Sequence, residues 1–155
     1  MLFCRRIDIH SKKRGIAKRL SNFTKRNFVF DGVECHSIEG FLQSLKFSEI
    51  SEQEIVCRLY GGQAKQIGEL RDWKKSGILY WQGKAYERDS EAYRELIARM
   101  YREVYRQDEQ FRKDVMRASR YTVDHTIGKD DPRDTILTRV EFLTMLSDLV
   151  LEDRS

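Results

Sequence analysis

Proline occurs once, at Pro132, and no low-complexity or repeated tract interrupts the chain, so nothing in it reads as a linker between domains. The three cysteines, Cys4, Cys35 and Cys57, are odd in number and far apart. They form neither a disulfide framework nor a Cys-x-x-Cys metal knuckle, and a reducing cytoplasm suits them best. The three histidines, His10, His36 and His125, lack the close pairing of a zinc helix, so no metal and no cofactor is expected. No run approaches the roughly 20 apolar residues needed to cross a bilayer, and Met1 to Ile9 carries charges inside its apolar stretch, unlike a signal peptide. A membrane partner is therefore not expected, and the expected location is the cytoplasm.

What remains is 155 residues, 40% apolar and 35% charged, with eight Phe, seven Tyr and two Trp to fill an interior. That length suits one domain. The net charge of +4 is unevenly spread: Met1 to Asn27 holds nine Lys or Arg against one Asp, a net +8, which leaves −4 for the rest. Such a segment can neutralise the phosphates of a nucleic acid or a nucleotide, with an attraction that weakens in salt. It can equally be a solubilising, partly disordered arm. We divide the chain into a basic segment, 1–19, and a domain, 20–155.

The first local signal is Asn27 to His36, where Asp31-Gly32 separates two β-prone runs and predicts a hairpin. Ser37 to Phe47 has apolar residues at 38, 41, 42 and 45, a buried helix capped by Ser37. Ser51 to Glu54 has capping-box wording and predicts a helix to about Tyr60, followed by a short helical piece at 63–67. The stretch 69–83, with Trp73 and Trp81, reads as loop-rich. Helices are expected over 90–106 and 108–118, an extended piece over 121–126, a turn-rich loop over 128–134, and a last helix from the Thr138 to Glu141 capping box to about Leu151. The class is α+β and mainly helical, with a small hairpin or sheet and five or six helices.

On the 37–47 helix, Glu39, Gln43 and Lys46 fall at i, i+4 and i+7 and share one narrow polar stripe. Ile38, Phe41, Leu42 and Leu45 make the core face. Gly40 and Ser44 lie toward the back, where another segment can approach closely. Spacing alone leaves two readings of the stripe, a solvated side of an amphipathic helix or a site.

The wording around it decides between them. Leu20-Ser-Asn-Phe23, Phe30 to Glu39, and Gly40-Phe-Leu-Gln-Ser-Leu-Lys-Phe47 together resemble the signature of the NADAR, or YbiA-like, family. Ala64 to Gly68 resembles that family's Ala-x-x-x-Gly segment, and Val123-Asp-His125 its Val-Glu-His segment. The resemblance spans roughly residues 20 to 150 and departs at the end, where Gly128 to Asp134 stands in place of a tryptophan- and glycine-rich loop.

The resemblance implies a single YbiA-like domain and a hydrolase of ribose N-glycosidic bonds. Two activities go with the family: removal of ADP-ribose from guanine bases of nucleic acid, and cleavage of phosphorylated riboflavin-pathway intermediates. It thus implies a nucleotide or ADP-ribosyl substrate. As the base leaves, ribose C1 becomes oxocarbenium-like, and a carboxylate can stabilise it or activate water. Glu39 is the candidate. Lys46, if neutral, can attack C1 and form a Schiff base; burial favours the neutral amine, and an ionised Glu39 beside it opposes that.

Ser21, Asn22 and Phe23 are expected around this pair, with Gln43 positioning ribose hydroxyls. Trp81, or Trp73 almost equally, is the candidate to stack on a base, and Asp131 to hold a hydroxyl or water. His125 reads as a packed residue rather than a catalyst. The competing reading from another class is a non-catalytic nucleic-acid-binding protein using the basic segment.

Overall fold

The computed structural model describes residues 5–155; Met1 to Cys4, the start of the basic segment, lie outside the described residues. The described chain runs β1 (Arg6–Asp8), α1 (Ile16–Arg19), β2 (Phe28–Phe30), β3 (Val33–Cys35), α2 (Ile38–Ser44), α3 (Ile50–Cys57), α4 (Gly61–Gly68), β4 (Ile78–Trp81), β5 (Lys84–Glu87), α5 (Glu91–Gln107), α6 (Glu109–Ala118), β6 (Thr122–Asp124) and α7 (Arg139–Arg154). This is a single α+β domain dominated by helices, seven of them among the described residues, against the five or six expected. No helix of the described residues is long and apolar enough to cross a membrane.

The six strands form three separate pairs. β2 and β3 make the expected hairpin, with Asp31 (φ 48°) and Gly32 (φ 79°) both in the left-handed region that a type I′ turn needs. β4 and β5 make a second hairpin around Gln82 (φ 47°) and Gly83 (φ 84°), inside a region expected to be loop. β1 pairs in parallel with β6 across more than a hundred residues. Residues 6–19 are therefore not a free arm: Ile7 and Ile9 are core residues, and Arg19 pairs with buried Asp114 at 2.8 Å.

The long helices are stopped and started by side chains the sequence advertises. Ser90 caps α5, Asp108 caps α6, and Thr138 with Glu141 closes a full capping box on α7. The Ser51 to Glu54 pattern is different: α3 begins two residues earlier, with Glu49 at its N-cap and no capping hydrogen bond. α4 is also longer than expected and starts at Gly61. Arg88, buried, donates to Thr135 O at 2.8 Å and forms an ion pair with Glu141, tying β5 to the start of α7.

α2 is the hub. All seven of its residues are buried. Ser37 caps it, accepting from Gly40 N at 2.8 Å, and donates its own hydroxyl to Leu59 O at 2.8 Å. A Cβ on Gly40 would lie 2.5 Å from Leu59 O, so the absence of a side chain lets the end of α3 close on the back of α2. On its other side Phe41 packs edge-on against Phe30 and Trp81, with centroids at 5.3 and 5.0 Å.

Candidate active site

A cavity of about 570 Å³ opens beside α2 and takes Glu39, Gln43 and Lys46 into its wall, with Ser21, Asn22 and Phe23 next to them. That is large enough for a nucleotide-sized ligand. Six of the eight expected site residues thus meet at one cavity, from two segments of the chain.

The Ser21 to Phe23 turn is clipped onto the start of α2. Glu39 N donates to Asn22 O at 2.9 Å, Phe23 N donates to Ser21 Oγ at 3.2 Å, and the buried Tyr101 hydroxyl donates to Asn22 Oδ1 at 2.8 Å. The last bond fixes the amide of Asn22 and leaves its NH₂ as the unclaimed donor. At the far end of α2, buried Gln53 donates to Phe47 O (2.9 Å) and Tyr80 O (2.8 Å) and accepts from Gln82 N (3.1 Å). Gln53 thus holds the chain that carries Lys46 against the second hairpin.

Glu39 is 8% exposed, and its carboxylate accepts from Gln43 Nε2 at 2.7 Å. Burial pushes its pKa above the ordinary 4.5, opposed by the Gln43 hydrogen bond and by the charges of Lys46 and Lys65. Lys46 is half-buried. Desolvation pulls its ammonium below the ordinary 10.5, opposed by the charges of Glu39 and Glu69 and assisted by Lys74 and Lys65. Burial therefore shifts both groups in the direction of their neutral forms. Each is restrained by the other's charge. Perturbed ionisable groups that share a cavity mark it as the candidate site.

Gln43 is 5% exposed, and its Oε1 has no hydrogen-bond partner among the described residues. It packs against Gly68, the glycine that ends α4. With its NH₂ engaged by Glu39, its visible duty is to orient that carboxylate.

Two expected substrate residues lie elsewhere. Trp81 is 3% exposed and does not line the cavity: it stacks on Phe30 at 5.6 Å and donates Nε1–H to Asp31 at 2.8 Å. Its alternation on β4 faces it into the core. Trp73 is the tryptophan that lines the cavity. Asp131 also lies outside the lining, accepting from Arg133 N at 2.9 Å and pairing with the Arg133 guanidinium; Asp134, three residues on, is the acid of this loop that lines the cavity.

Several lining residues were not singled out by sequence, among them Lys65, Arg71, Lys129 and Asp134. Their only sequence signal is charge, which does not distinguish a cavity wall from open surface. His125 also lines the cavity, with Nδ1 bonded to Ile9 O at 2.8 Å and the ring edge-on to Phe142 at 5.2 Å. A carbonyl only accepts, so Nδ1 carries the proton, and in the neutral ring Nε2 is the acceptor.

Comparison with known proteins bears on the fold and the family. The solved structure of the E. coli protein YbiA matches with a TM-score of 0.62, covering 100% of this chain and 90% of that one at 12% identity, so it shares the fold. An uncharacterized 17.1 kDa protein from the Gp30-rIII intergenic region of Enterobacteria phage T4 is 36% identical over 146 residues, 91% of this chain and 94% of the relative. Residues 14–150 match the family described as bacteriophage protein GP30.3. With most of its length matched in this way, the chain belongs to the bacteriophage protein GP30.3 family.

Proposed function

We propose that this cavity hydrolyses a ribose N-glycosidic bond, with Glu39 as acid/base and Lys46 as nucleophile, and that its substrate is an ADP-ribosyl group on a guanine base of nucleic acid. The observation that carries the reading is the meeting of a buried Glu39 and a half-buried Lys46 in one nucleotide-sized cavity, each moved by burial toward its neutral form. A solvated helix face offers neither burial nor a cavity.

The steps balance as follows. Neutral Lys46 attacks ribose C1 while the C1–N bond to the base breaks, and protonated Glu39 supplies the proton that the departing nitrogen takes. The Lys46 nitrogen, now cationic, returns a proton to Glu39. The resulting glycosylamine opens to a Schiff base between Lys46 and C1. Water adds to that carbon, the C–N bond breaks, and the free sugar leaves with Lys46 restored. Gln43 keeps the Glu39 carboxyl aimed throughout, and Asn22 and Trp73 are the neighbours offered to the sugar and a base.

A phosphorylated riboflavin-pathway intermediate has the same scissile bond and fits the same chemistry. The choice between substrates rests on the cations around the site, Lys65, Arg71, Lys74 and Lys129, which suit a pyrophosphate-bearing group. Borohydride reduction during turnover tests the covalent step. A stable adduct on Lys46, found by peptide mass spectrometry and absent from Lys46→Ala, is the expected result; active enzyme that never traps excludes the Schiff base.

A further inference from the structure

Ser11 and the Ser21 to Phe23 turn form one lip of the cavity, and the exposed cations Lys12, Arg14, Lys18 and Lys25 adjoin these residues in the chain. The other cations of this stretch are committed to the fold: Lys13 pairs with Asp8 at 3.2 Å, Arg19 with Asp114 at 2.8 Å, and buried Arg26 with Asp108 at 3.3 Å. Lys12, Arg14, Lys18 and Lys25 have no carboxylate in salt-bridge range among the described residues.

An aromatic ring stands beside the last of these cations. Lys25 Nζ stands 5.2 Å above the centroid of Tyr60, which is 45% exposed. Tyr60 directly precedes α4, and Gly61 N donates to Phe23 O at 3.1 Å, which fixes the tyrosine beside the cavity-lining phenylalanine. One turn along α4, Lys65 lines the cavity itself.

Exposed cations that no carboxylate neutralises are available to the phosphates of a ligand. Exposed cations with an exposed ring beside one of them are what a single nucleic-acid strand uses, phosphates on the cations and an unstacked base on the aromatic ring. A duplex keeps its bases stacked and leaves the ring idle. We propose that this lip binds single-stranded nucleic acid, with the backbone on Lys12, Arg14, Lys18 and Lys25 and a base on Tyr60. In its second half the proposal rests on the glycosidase reading: the bound strand presents its modified nucleotide to the cavity.

The test uses the full-length protein and an unmodified single-stranded DNA oligonucleotide in fluorescence anisotropy across a salt series. Single strands give a slope of about −0.7 in log K against log salt per phosphate contact, so four contacts give about −2.8. Lys18→Ala with Lys25→Ala should flatten the slope by about 1.4 and weaken low-salt binding roughly tenfold. Tyr60→Leu should weaken binding about fivefold or more with the slope unchanged. Turnover of an ADP-ribosylated mononucleoside should be untouched by these variants, while KM for a modified oligonucleotide rises.

An unchanged slope in the double variant, duplex bound as tightly as single strand, or equal competition by polyglutamate would each overturn the proposal. Salt-sensitive strand binding without turnover of any N-glycoside sinks the glycosidase reading and leaves the strand site standing. Turnover of the mononucleoside without strand binding does the reverse.

Discussion

The amide of Gln43 occupies the space that a side chain on Gly68 would need, since a Cβ built on Gly68 falls 1.7 Å from Gln43 Oε1. A glycine at the end of α4 is thereby tied to the orientation of Glu39 on α2, through the 2.7 Å bond from Gln43 Nε2.

Gly68→Ala should therefore act on the chemistry as well as on the fold. Alanine favours a helix over glycine by up to about 1 kcal/mol. Here overpacking against a buried amide should outweigh that and cost about 1–3 kcal/mol, read by urea unfolding. Turnover per folded molecule should fall at least tenfold. Loss of stability with unchanged turnover would show that the Gln43 contact does not aim Glu39.

Glu39 should leave a pH signature on stability. Its native pKa is raised above the ordinary 4.5, so just above pH 4.5 the native state holds a proton that the unfolded state has lost. Stability then falls as pH rises through the window from 4.5 to the native pKa, and stays lower beyond it. Lys46, lowered from 10.5, has the opposite sign: stability rises with pH between its native pKa and 10.5. Glu39→Gln should flatten the acid-side fall and stabilise the protein at neutral pH, measured by thermal unfolding from pH 4 to 8. A variant less stable at pH 7 would contradict the burial assigned to this carboxyl.

The tryptophans should separate. Trp81→Ala removes a ring packed on Phe30 and Phe41 and should cost about 3–5 kcal/mol, with KM unchanged in whatever still folds. Trp73→Phe, at the cavity wall, should raise KM with a smaller loss of stability. A KM effect from the milder Trp81→Phe would reverse the assignment.

The difference between those two rings also shows where sequence reading works. The 3.6-residue repeat of a helix places Glu39, Gln43 and Lys46 on one stripe, and the family resemblance singled that stripe out as a site; the same repeat put Gly40 toward the back, where the chain at Leu59 approaches. Caps at Ser37, Ser90, Asp108 and Thr138 are local hydrogen bonds written in consecutive residues. Trp81 was misplaced because the β4–β5 hairpin turns on Gln82-Gly83, a weaker signal than Asp31-Gly32, and without the strand its inward register is invisible. α1 is four residues long, too short to show a period. The pairing of β1 with β6 joins residues over a hundred apart, which no window of sequence contains. Asp131 and Asp134 sit in one turn, and only the path of the loop determines which carboxylate reaches the cavity.

The most direct measurement is release of the base. Purified protein, with Glu39→Gln and Lys46→Ala beside it, is incubated with guanosine-ADP-ribosylated DNA and with a phosphorylated ribosylaminopyrimidine, and products are followed by mass spectrometry. Free ADP-ribose from the DNA, reduced at least a hundredfold in both folded variants, is the predicted result. Release that survives either substitution, or none from either substrate by the folded wild-type protein, would contradict the assignment of this cavity as an N-glycosidase site.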